Sequence, residues 1–181
     1  RAPAAGRGRA GSHGSIERVS TPAAPRPVVL VLHGPNLNLL GEREPEVYGT
    51  ATLEDHVACA RAAAEARGLD VEDLQSNHEG DLVDAIHAAR GRCAAILINP
   101  GALTHYAWSL HDALAAFDGP VVEVHLSNPN AREPWRHTSV VAPVAAGSIM
   151  GFGGIGYELA IEAIARLIGR ASCRERVYSN V

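Results

Sequence analysis

The sequence contains no lysine, and all 16 of its basic residues are arginine. Without an amine side chain the protein has no Schiff-base lysine, no phosphate-binding P-loop lysine and no Ser-Lys dyad. The three cysteines form no CxxC pair, so they indicate reduced thiols in the cytoplasm rather than a disulfide framework or a zinc ribbon. No apolar run approaches the ~20 residues that span a bilayer, and no membrane partner is expected.

Charge is unevenly distributed along the chain. The net charge of −4 includes +4 from residues 1–27 and +2 from residues 169–181, which leaves −10 for residues 28–168. An acidic body argues against nucleic acid as the main partner. It also repels anions, so an anionic ligand would need a local cluster of arginines.

Two features that suggest a metal or a cofactor are weak. None of the nine histidines stands in an HxxxH or HExxH arrangement, so no metal is expected. The segment Gly151–Gly156 matches GxGxxG, but no βαβ unit follows it and no acidic residue lies about 20 positions on. We interpret it as a tight turn before a helix, and we expect no cofactor.

The length of 181 residues suits one domain. Residues 1–27 are rich in Arg, Ala, Gly and Pro without hydrophobic periodicity, which predicts a disordered leader. Residues 169–181 resemble translated adapter DNA, and we expect an unstructured tail there. The domain proper is therefore predicted to span residues 28–168.

Strand and helix patterns alternate within this domain. The strands are predicted at Val28–Leu32, Leu69–Leu74, Ala94–Ile98, Val121–Val124 and Val140–Ala142. Helices are predicted after Thr52 and Ser76, each with an acidic residue three positions on as in a capping box, and at Tyr106–Phe117 and 155–168. This βαβα series predicts an α/β fold, a five-stranded parallel sheet of flavodoxin-like order 2-1-3-4-5 with helices on both faces in a three-layer sandwich.

A polar cluster accompanies each of the first four strands. The clusters are Asn36, Arg43 and Tyr48; Ser76 to Glu79; Asn99 to His105; and Glu123, His125 and Ser127. Arg132 and Arg136 follow soon after. Because ligands bind beyond the carboxyl ends of parallel strands, the four clusters together favour an active site over ordinary turn chemistry.

The residue types in these clusters are typical of general acid–base chemistry. Arg43 near Tyr48 would favour the phenolate and lower the pKa of Tyr48 from ~10. His125 is the natural proton donor, and Glu123 lies on the same strand face two residues earlier. Asn36, alone or through a water, can stabilise an oxyanion or enolate. The set suits proton abstraction beside a carbonyl, followed by loss of water.

Six segments closely resemble type II 3-dehydroquinate dehydratase, in the correct order over about residues 28–168. They are His33-Gly-Pro-Asn-Leu-Asn-Leu-Leu-Gly, Glu46-Val-Tyr-Gly, Gln75-Ser-Asn-His-Glu-Gly, Ile98-Asn-Pro-Gly-Ala, Glu123-Val-His-Leu-Ser-Asn and Ala131-Arg-Glu-Pro-Trp-Arg-His. The resemblance implies dehydration of 3-dehydroquinate to 3-dehydroshikimate, in the shikimate pathway or in quinate catabolism. It also implies anti elimination through an enolate without metal or cofactor, and a homododecamer built from trimers.

The resemblance further implies roles for individual residues. Tyr48 matches the base that removes the C2 proton, Arg43 its activating partner on a mobile lid, and Asn36 the residue that positions the enolate-stabilising water. His125 matches the acid that protonates the departing C1 hydroxyl, held by Glu123. Asp112 matches a residue that reaches a neighbouring subunit's site. The groups that hold the hydroxyls and carboxylate of the substrate match Asn99, His105, Leu126, Ser127 and Arg136.

The sequence departs from the family pattern at several positions. His33 replaces the usual Asn before Gly-Pro-Asn, and Leu74 stands where an Arg commonly precedes Gln-Ser. Tyr106 to Trp108 and the Pro129-Asn130 pair also differ from the family. Two rival readings therefore remain, a non-catalytic flavodoxin-like module that binds a nucleotide, FMN or a protein, and a degenerate member that binds a shikimate-like acid without turnover.

Overall fold

The computed structural model describes the backbone of residues 25–43, 46 and 49–178, with side chains up to residue 169. The strands are β1 (Val28–His33), β2 (Asp70–Gln75), β3 (Ala95–Asn99), β4 (Val121–His125) and β5 (Gly147–Met150). The α-helices are α1 (Leu53–Glu65), α2 (Glu79–Ala89), α3 (Trp108–Ala115) and α4 (Ile155–Tyr178). Short 3₁₀ helices cover Leu37–Leu39, Gly101–His105, Pro129–Ala131, Pro134–His137 and Ala142–Val144.

The five strands form one parallel sheet in the order β2-β1-β3-β4-β5, which confirms the predicted fold. Side chains of β1, β3 and β4 alternate between two cores, because successive residues of a strand point to opposite faces. α1 and α4 cover one face, whereas α2 and α3 cover the other. The chain therefore leaves β1 and β3 toward opposite faces. This switch in direction opens a crevice between the two loops at the carboxyl edge of the sheet.

The sequence predicted a capping box at the start of α1 and another at the start of α2. At α1 the box is confirmed: Thr52 N–H donates to Asp55 Oδ2 at 2.8 Å, and Asp55 N–H donates to Thr52 Oγ1 at 3.2 Å. At α2 it is wrong, because His78 is the N-cap and Glu79 is the first helical residue. Ser76 instead accepts from His78 N–H and donates to Asp81.

The fifth strand does not lie at Val140–Ala142, where the sequence predicted it. The Val140 N–H donates to Thr104 O, and the Val141 and Ala142 N–H groups both donate to Ser139 Oγ. These amides close a turn, and Pro143, which has no N–H, follows them. The fifth strand is Gly147–Met150, an edge strand that pairs with β4.

The last helix runs ten residues beyond its predicted end at 168. Residues 169–178 are helical rather than unstructured, in keeping with a segment that holds Arg, Ala and Glu and no Pro. Residues 1–24 of the predicted leader and residues 179–181 of the tail lie outside the described residues. Within the described part of the chain, no helix has the length and apolar character needed to cross a bilayer.

A buried histidine ends β1. His33 is fully buried, and its Nδ1 lies 3.0 Å from the hydroxyl of Tyr157 on α4. Burial lowers the pKa of His33 from 6.5 to about 4; the Asp73 carboxylate opposes this shift and His56 adds to it. Burial lowers the pKa of His56 as well. The folded chain therefore resists protonation at a pH where the unfolded chain accepts it.

This difference predicts a pH-dependent stability. Above about pH 6.5 His33 is neutral in both states, and the free energy of unfolding is independent of it. As the pH falls from 6.5 to about 4 the unfolded state binds the proton first, so stability declines, by roughly 3 kcal/mol for this one group. Urea unfolding between pH 4 and 7.5 should show a shallower decline for His33→Asn than for the wild type. Identical slopes would contradict the assignment to His33.

Candidate active site

A cavity of about 130 Å³ opens at the carboxyl ends of β1, β3 and β4. Its walls come from the loops that follow these strands, as the direction switch between β1 and β3 requires. The loops after β1 and β3 touch closely, since a Cβ on Gly34 would lie 2.3 Å from Pro100 O. The lining residues are Pro35, Asn36, Leu37, Leu39, Leu40, Arg43, Asn99, Gly101, Ala102, His105, His125, Leu126, Ser127, Pro129, Arg132 and Arg136.

The structure brings most of the predicted site residues to this cavity. Two of the exceptions have clear positions: Glu123 is buried behind His125, and Asp112 is exposed on α3, away from the cavity. Tyr48 lies outside the described residues. The predicted residues that line the cavity are Asn36, Arg43, Asn99, His105, His125, Leu126, Ser127 and Arg136.

Glu123 and His125 form the central pair of the site. Both lie on β4 and their side chains share a face, with His125 Nε2 2.8 Å from Glu123 Oε1. The Glu123 side chain is fully buried, whereas 8% of the His125 side chain remains exposed beside the cavity. Because an ionised carboxylate only accepts hydrogen bonds, Nε2 of His125 carries a hydrogen toward Glu123. The other ring nitrogen, Nδ1, is then the one left to exchange a proton with a ligand.

Hydrogen bonds keep the buried Glu123 ionised. Burial alone raises the pKa of its carboxyl, but hydrogen bonds from His125, Thr104 and Ser148 together with the charge of His125 outweigh burial, and the pKa falls below its ordinary value. Thr104 Oγ1 donates to Oε1 at 2.5 Å and Ser148 Oγ donates to Oε2 at 3.0 Å. The Glu123 carboxylate, fixed two residues from His125, orients the imidazole through the hydrogen bond from Nε2.

Asn36 owes its position to an unusual backbone conformation. With φ of 67°, it is the one non-glycine residue in the left-handed region among those that the structure describes, a conformation that Asn tolerates better than most residues. Its N–H donates to Asn77 Oδ1 at 2.9 Å. The polar cluster after β2 thus supports the first loop from behind, although none of its residues lines the cavity.

Positive charge dominates the cavity wall. Among its described lining residues three are Arg and none is Asp or Glu. Outside the wall, the Glu133 carboxylate lies 2.6 Å from Arg136 Nε and 3.6 Å from Arg132 Nε. His105 donates from Nδ1 to Thr138 O at 2.7 Å, which leaves its Nε2 for a ligand. This is the local arginine cluster that an anionic ligand needs in an acidic body.

Several residues that shape the site were not among the predicted site residues. Arg132 lines the cavity, and its place in the Ala131-Arg-Glu-Pro-Trp-Arg-His segment was the available signal. Thr104 and Ser148 hold Glu123. Thr104 lies within the predicted Asn99 to His105 cluster but was given no role of its own, and Ser148 is an isolated hydroxyl residue with no sequence pattern. Tyr157, which accepts a hydrogen bond from Asn99, belongs to the apolar pattern of α4 and gives no sign of a polar role.

The sequence of this chain is similar to those of named enzymes of one family. The family model for class II dehydroquinase matches residues 27–165. The 3-dehydroquinate dehydratase of Ruegeria pomeroyi is 60% identical over 137 residues, 76% of this chain and 92% of the relative. The catabolic 3-dehydroquinase of Aspergillus clavatus is 53% identical over 137 residues, 76% of this chain and 91% of the relative.

Solved structures give the same family. The type II dehydroquinase of Propionibacterium acnes is 44% identical with a TM-score of 0.74, and the match covers 77% of this chain and 96% of that protein. The enzyme of Butyrivibrio crossotus is 43% identical with a TM-score of 0.75, over 78% of this chain and 99% of that protein. Sequence, fold and a cavity where the family motifs meet therefore agree, and this chain belongs to the class II dehydroquinases.

Proposed function

We propose that this protein dehydrates 3-dehydroquinate to 3-dehydroshikimate. The observation that carries the proposal is the Glu123–His125 pair beside an arginine-lined cavity, in a chain of this family. The reaction breaks the C2–H and C1–O bonds and forms a carbon–carbon double bond. An enolate forms between the two cleavages, and one water leaves. The Aspergillus clavatus relative is named as a catabolic enzyme, whereas the name of the Ruegeria pomeroyi relative gives no such role. The proposed reaction serves either the shikimate pathway or quinate catabolism.

Tyr48 is the proposed base for the C2 proton, with Arg43 as its activating partner. Arg43 lines the cavity, where its guanidinium can lower the pKa of a nearby phenol and make the phenolate available. Closure of the loop that carries both residues would exclude water from the bound substrate. Asn36, through its amide or a water, stabilises the enolate oxygen.

His125 is the proposed acid. Its Nδ1 proton goes to the departing C1 hydroxyl, which leaves as water, and Glu123 stabilises the imidazolium before the transfer. The carboxylate and hydroxyls of the substrate would be held by Asn99, His105, Leu126, Ser127 and Arg136. These groups all line the cavity, and Arg136 offers the charge that a carboxylate prefers.

The first test is turnover. Purified protein mixed with 3-dehydroquinate should produce the ultraviolet absorbance of a conjugated enone, and prior borohydride treatment should not change the rate because no imine forms.

Tyr48→Phe should bind the substrate but turn over more slowly by orders of magnitude. A wild-type protein that binds without turnover would instead identify a degenerate binder. Stabilisation by FMN without turnover would favour the flavodoxin-like module.

The second test concerns the acid. His125→Asn should lower kcat by about 10²- to 10⁴-fold, the usual contribution of a general acid. Glu123→Gln should also lower kcat, because the imidazolium loses the charge that stabilises it. Ser148→Ala is the matched control: it removes one hydrogen bond to Glu123 and leaves the negative charge in place, so kcat should change much less. If His125→Asn raised KM and left kcat intact, the acid role would be wrong.

Assembly into a homododecamer built from trimers is also part of the proposal. Asp112 lies outside the cavity of its own chain and is exposed. It is four residues from Trp108, so the two share a face of α3. Trp108 on this face is 65% exposed, and Tyr106, two residues before α3, is 60% exposed, which supports burial of this region by a second subunit. Asp112 would then reach the site of that subunit.

Mixed oligomers test this role of Asp112. Asp112→Ala should lower kcat/KM, and His125→Asn should be nearly inactive. When the two variants are refolded together, some sites combine an intact His125 with an intact Asp112 from another chain. Activity should therefore exceed the sum of the separate variants. Light scattering gives the mass of each oligomer, and a mixture that is merely additive would place Asp112 outside the neighbouring site.

A further inference from the structure

Three buried side chains connect the cavity to the interior at the end of the sheet. Asn99 on β3 lines the cavity and is 3% exposed, whereas Tyr157 on α4 and His33 on β1 are fully buried. Asn99 Nδ2 lies 3.2 Å from the Tyr157 hydroxyl, and this hydroxyl lies 3.0 Å from His33 Nδ1. Neither Tyr157 nor His33 lines the cavity, so their effect on a ligand would pass through Asn99.

The backbone fixes the direction of these hydrogen bonds. The Gly101 N–H can only donate, and it lies 3.3 Å from Asn99 Oδ1. The oxygen of the carboxamide therefore faces Gly101, and Nδ2 faces Tyr157. Since the Tyr157 oxygen accepts from Asn99, its single hydrogen remains for His33 Nδ1.

The protonation of His33 follows from the same reasoning. Nδ1 must carry a lone pair to accept from Tyr157, which places the ring hydrogen on Nε2. This arrangement leaves one donor without a partner, because Nε2 is buried and has no hydrogen bond among the described residues. A hydrogen on Nδ1 would leave two groups unpaired, the Tyr157 O–H and the Nε2 lone pair. Unpaired buried groups are costly, so the first arrangement is favoured.

We propose that Tyr157 and His33 are positioning residues that fix the orientation of the Asn99 carboxamide, and so determine which donor and acceptor it presents to the substrate. The proposal rests on the proposed dehydratase function. One hydrogen of Nδ2 is taken by Tyr157 and one lone pair of Oδ1 by Gly101. The second hydrogen and the second lone pair remain for substrate hydroxyls. Rotation of the Asn99 amide by 180° would exchange the positions of this donor and this acceptor.

Tyr157→Phe removes the hydroxyl and keeps the ring. It should raise KM for 3-dehydroquinate about tenfold, the size expected for one poorly placed hydrogen bond, with a much smaller change in kcat. In an Asn99→Ala background the same substitution should leave KM unchanged, because no carboxamide remains to be positioned. A purely structural role would give the same proportional effect in both backgrounds and would overturn the proposal.

His33 provides a second test that does not depend on the folding of Tyr157→Phe. His33→Leu removes the acceptor and should raise KM. His33→Asn should restore it, because a carboxamide oxygen can accept from Tyr157. His56→Phe is the matched control. His56 stacks on the Tyr157 ring, with centroids 5.6 Å apart, and its buried Nε2 has no hydrogen-bond partner among the described residues, so KM should stay at the wild-type value. Equal KM values for the Leu and Asn variants would overturn the proposal.

Dissociation constants for the product 3-dehydroshikimate separate this inference from the proposed function. If the wild type binds the product but does not turn over 3-dehydroquinate, the dehydratase function fails. The same comparison of Tyr157→Phe in the two backgrounds, measured by calorimetry, then still judges the role of Tyr157. A wild type that neither turns over nor binds would overturn both.

Discussion

The rest of the site depends on one buried charge, the carboxylate of Glu123. It lies at the end of the sheet, where burial would otherwise favour its neutral form. Hydroxyl groups from the loop after β3, from the turn at Ser139 and from β5 converge on its two oxygens. Each donor fixes one segment relative to β4, so the charge that orients His125 also holds the wall of the cavity together. Removal of the two oxygens would leave these hydroxyls without their acceptor, at a cost in stability.

The sheet explains why such a charge can lie beside a cavity. The order β2-β1-β3-β4-β5 sends the chain to opposite faces after β1 and β3, and the loops that follow these strands form part of the cavity wall at the carboxyl edge. Burial is high within β1, β3 and β4, but the loops beyond them bring backbone N–H groups and arginines to the cavity. Glu123 lies on the buried side of this boundary and His125 on the side of the cavity. These two environments suit the role of proton donor proposed for His125, with a fixed counter-charge behind the imidazole and a cavity in front of it.

The sequence predicted what depends on local pattern. Short, largely apolar runs identified β1, β3 and β4, and the Thr52–Asp55 pair identified the start of α1. It did not predict β5, since Gly147–Met150 is an edge strand with little apolar content, whereas Val140 and Val141 have strong strand propensity. The Ser139 hydroxyl accepts hydrogen bonds from the Val141 and Ala142 N–H groups, which in a strand would be available to pair with a neighbouring strand. Eight of the residues implied by the family resemblance line the cavity. The sequence did not reveal the contacts that Ser148 and Tyr157 make from distant segments.

The polar residues behind the wall follow a common physical rule. Glu123 and Asn99 are each almost fully buried. Some of the groups that hold them lie outside the cavity wall: Thr104 and Ser148 at Glu123, and Tyr157 at Asn99. For a charged group the donors must outweigh the desolvation that burial imposes, which requires several of them. For a neutral amide one donor and one acceptor suffice, because only its orientation has to be fixed. The number of supporting hydrogen bonds, several at Glu123 and two at Asn99, thus reflects the cost of the group being held. Residues remote from the substrate therefore contribute to the chemistry by deciding which atoms the wall presents.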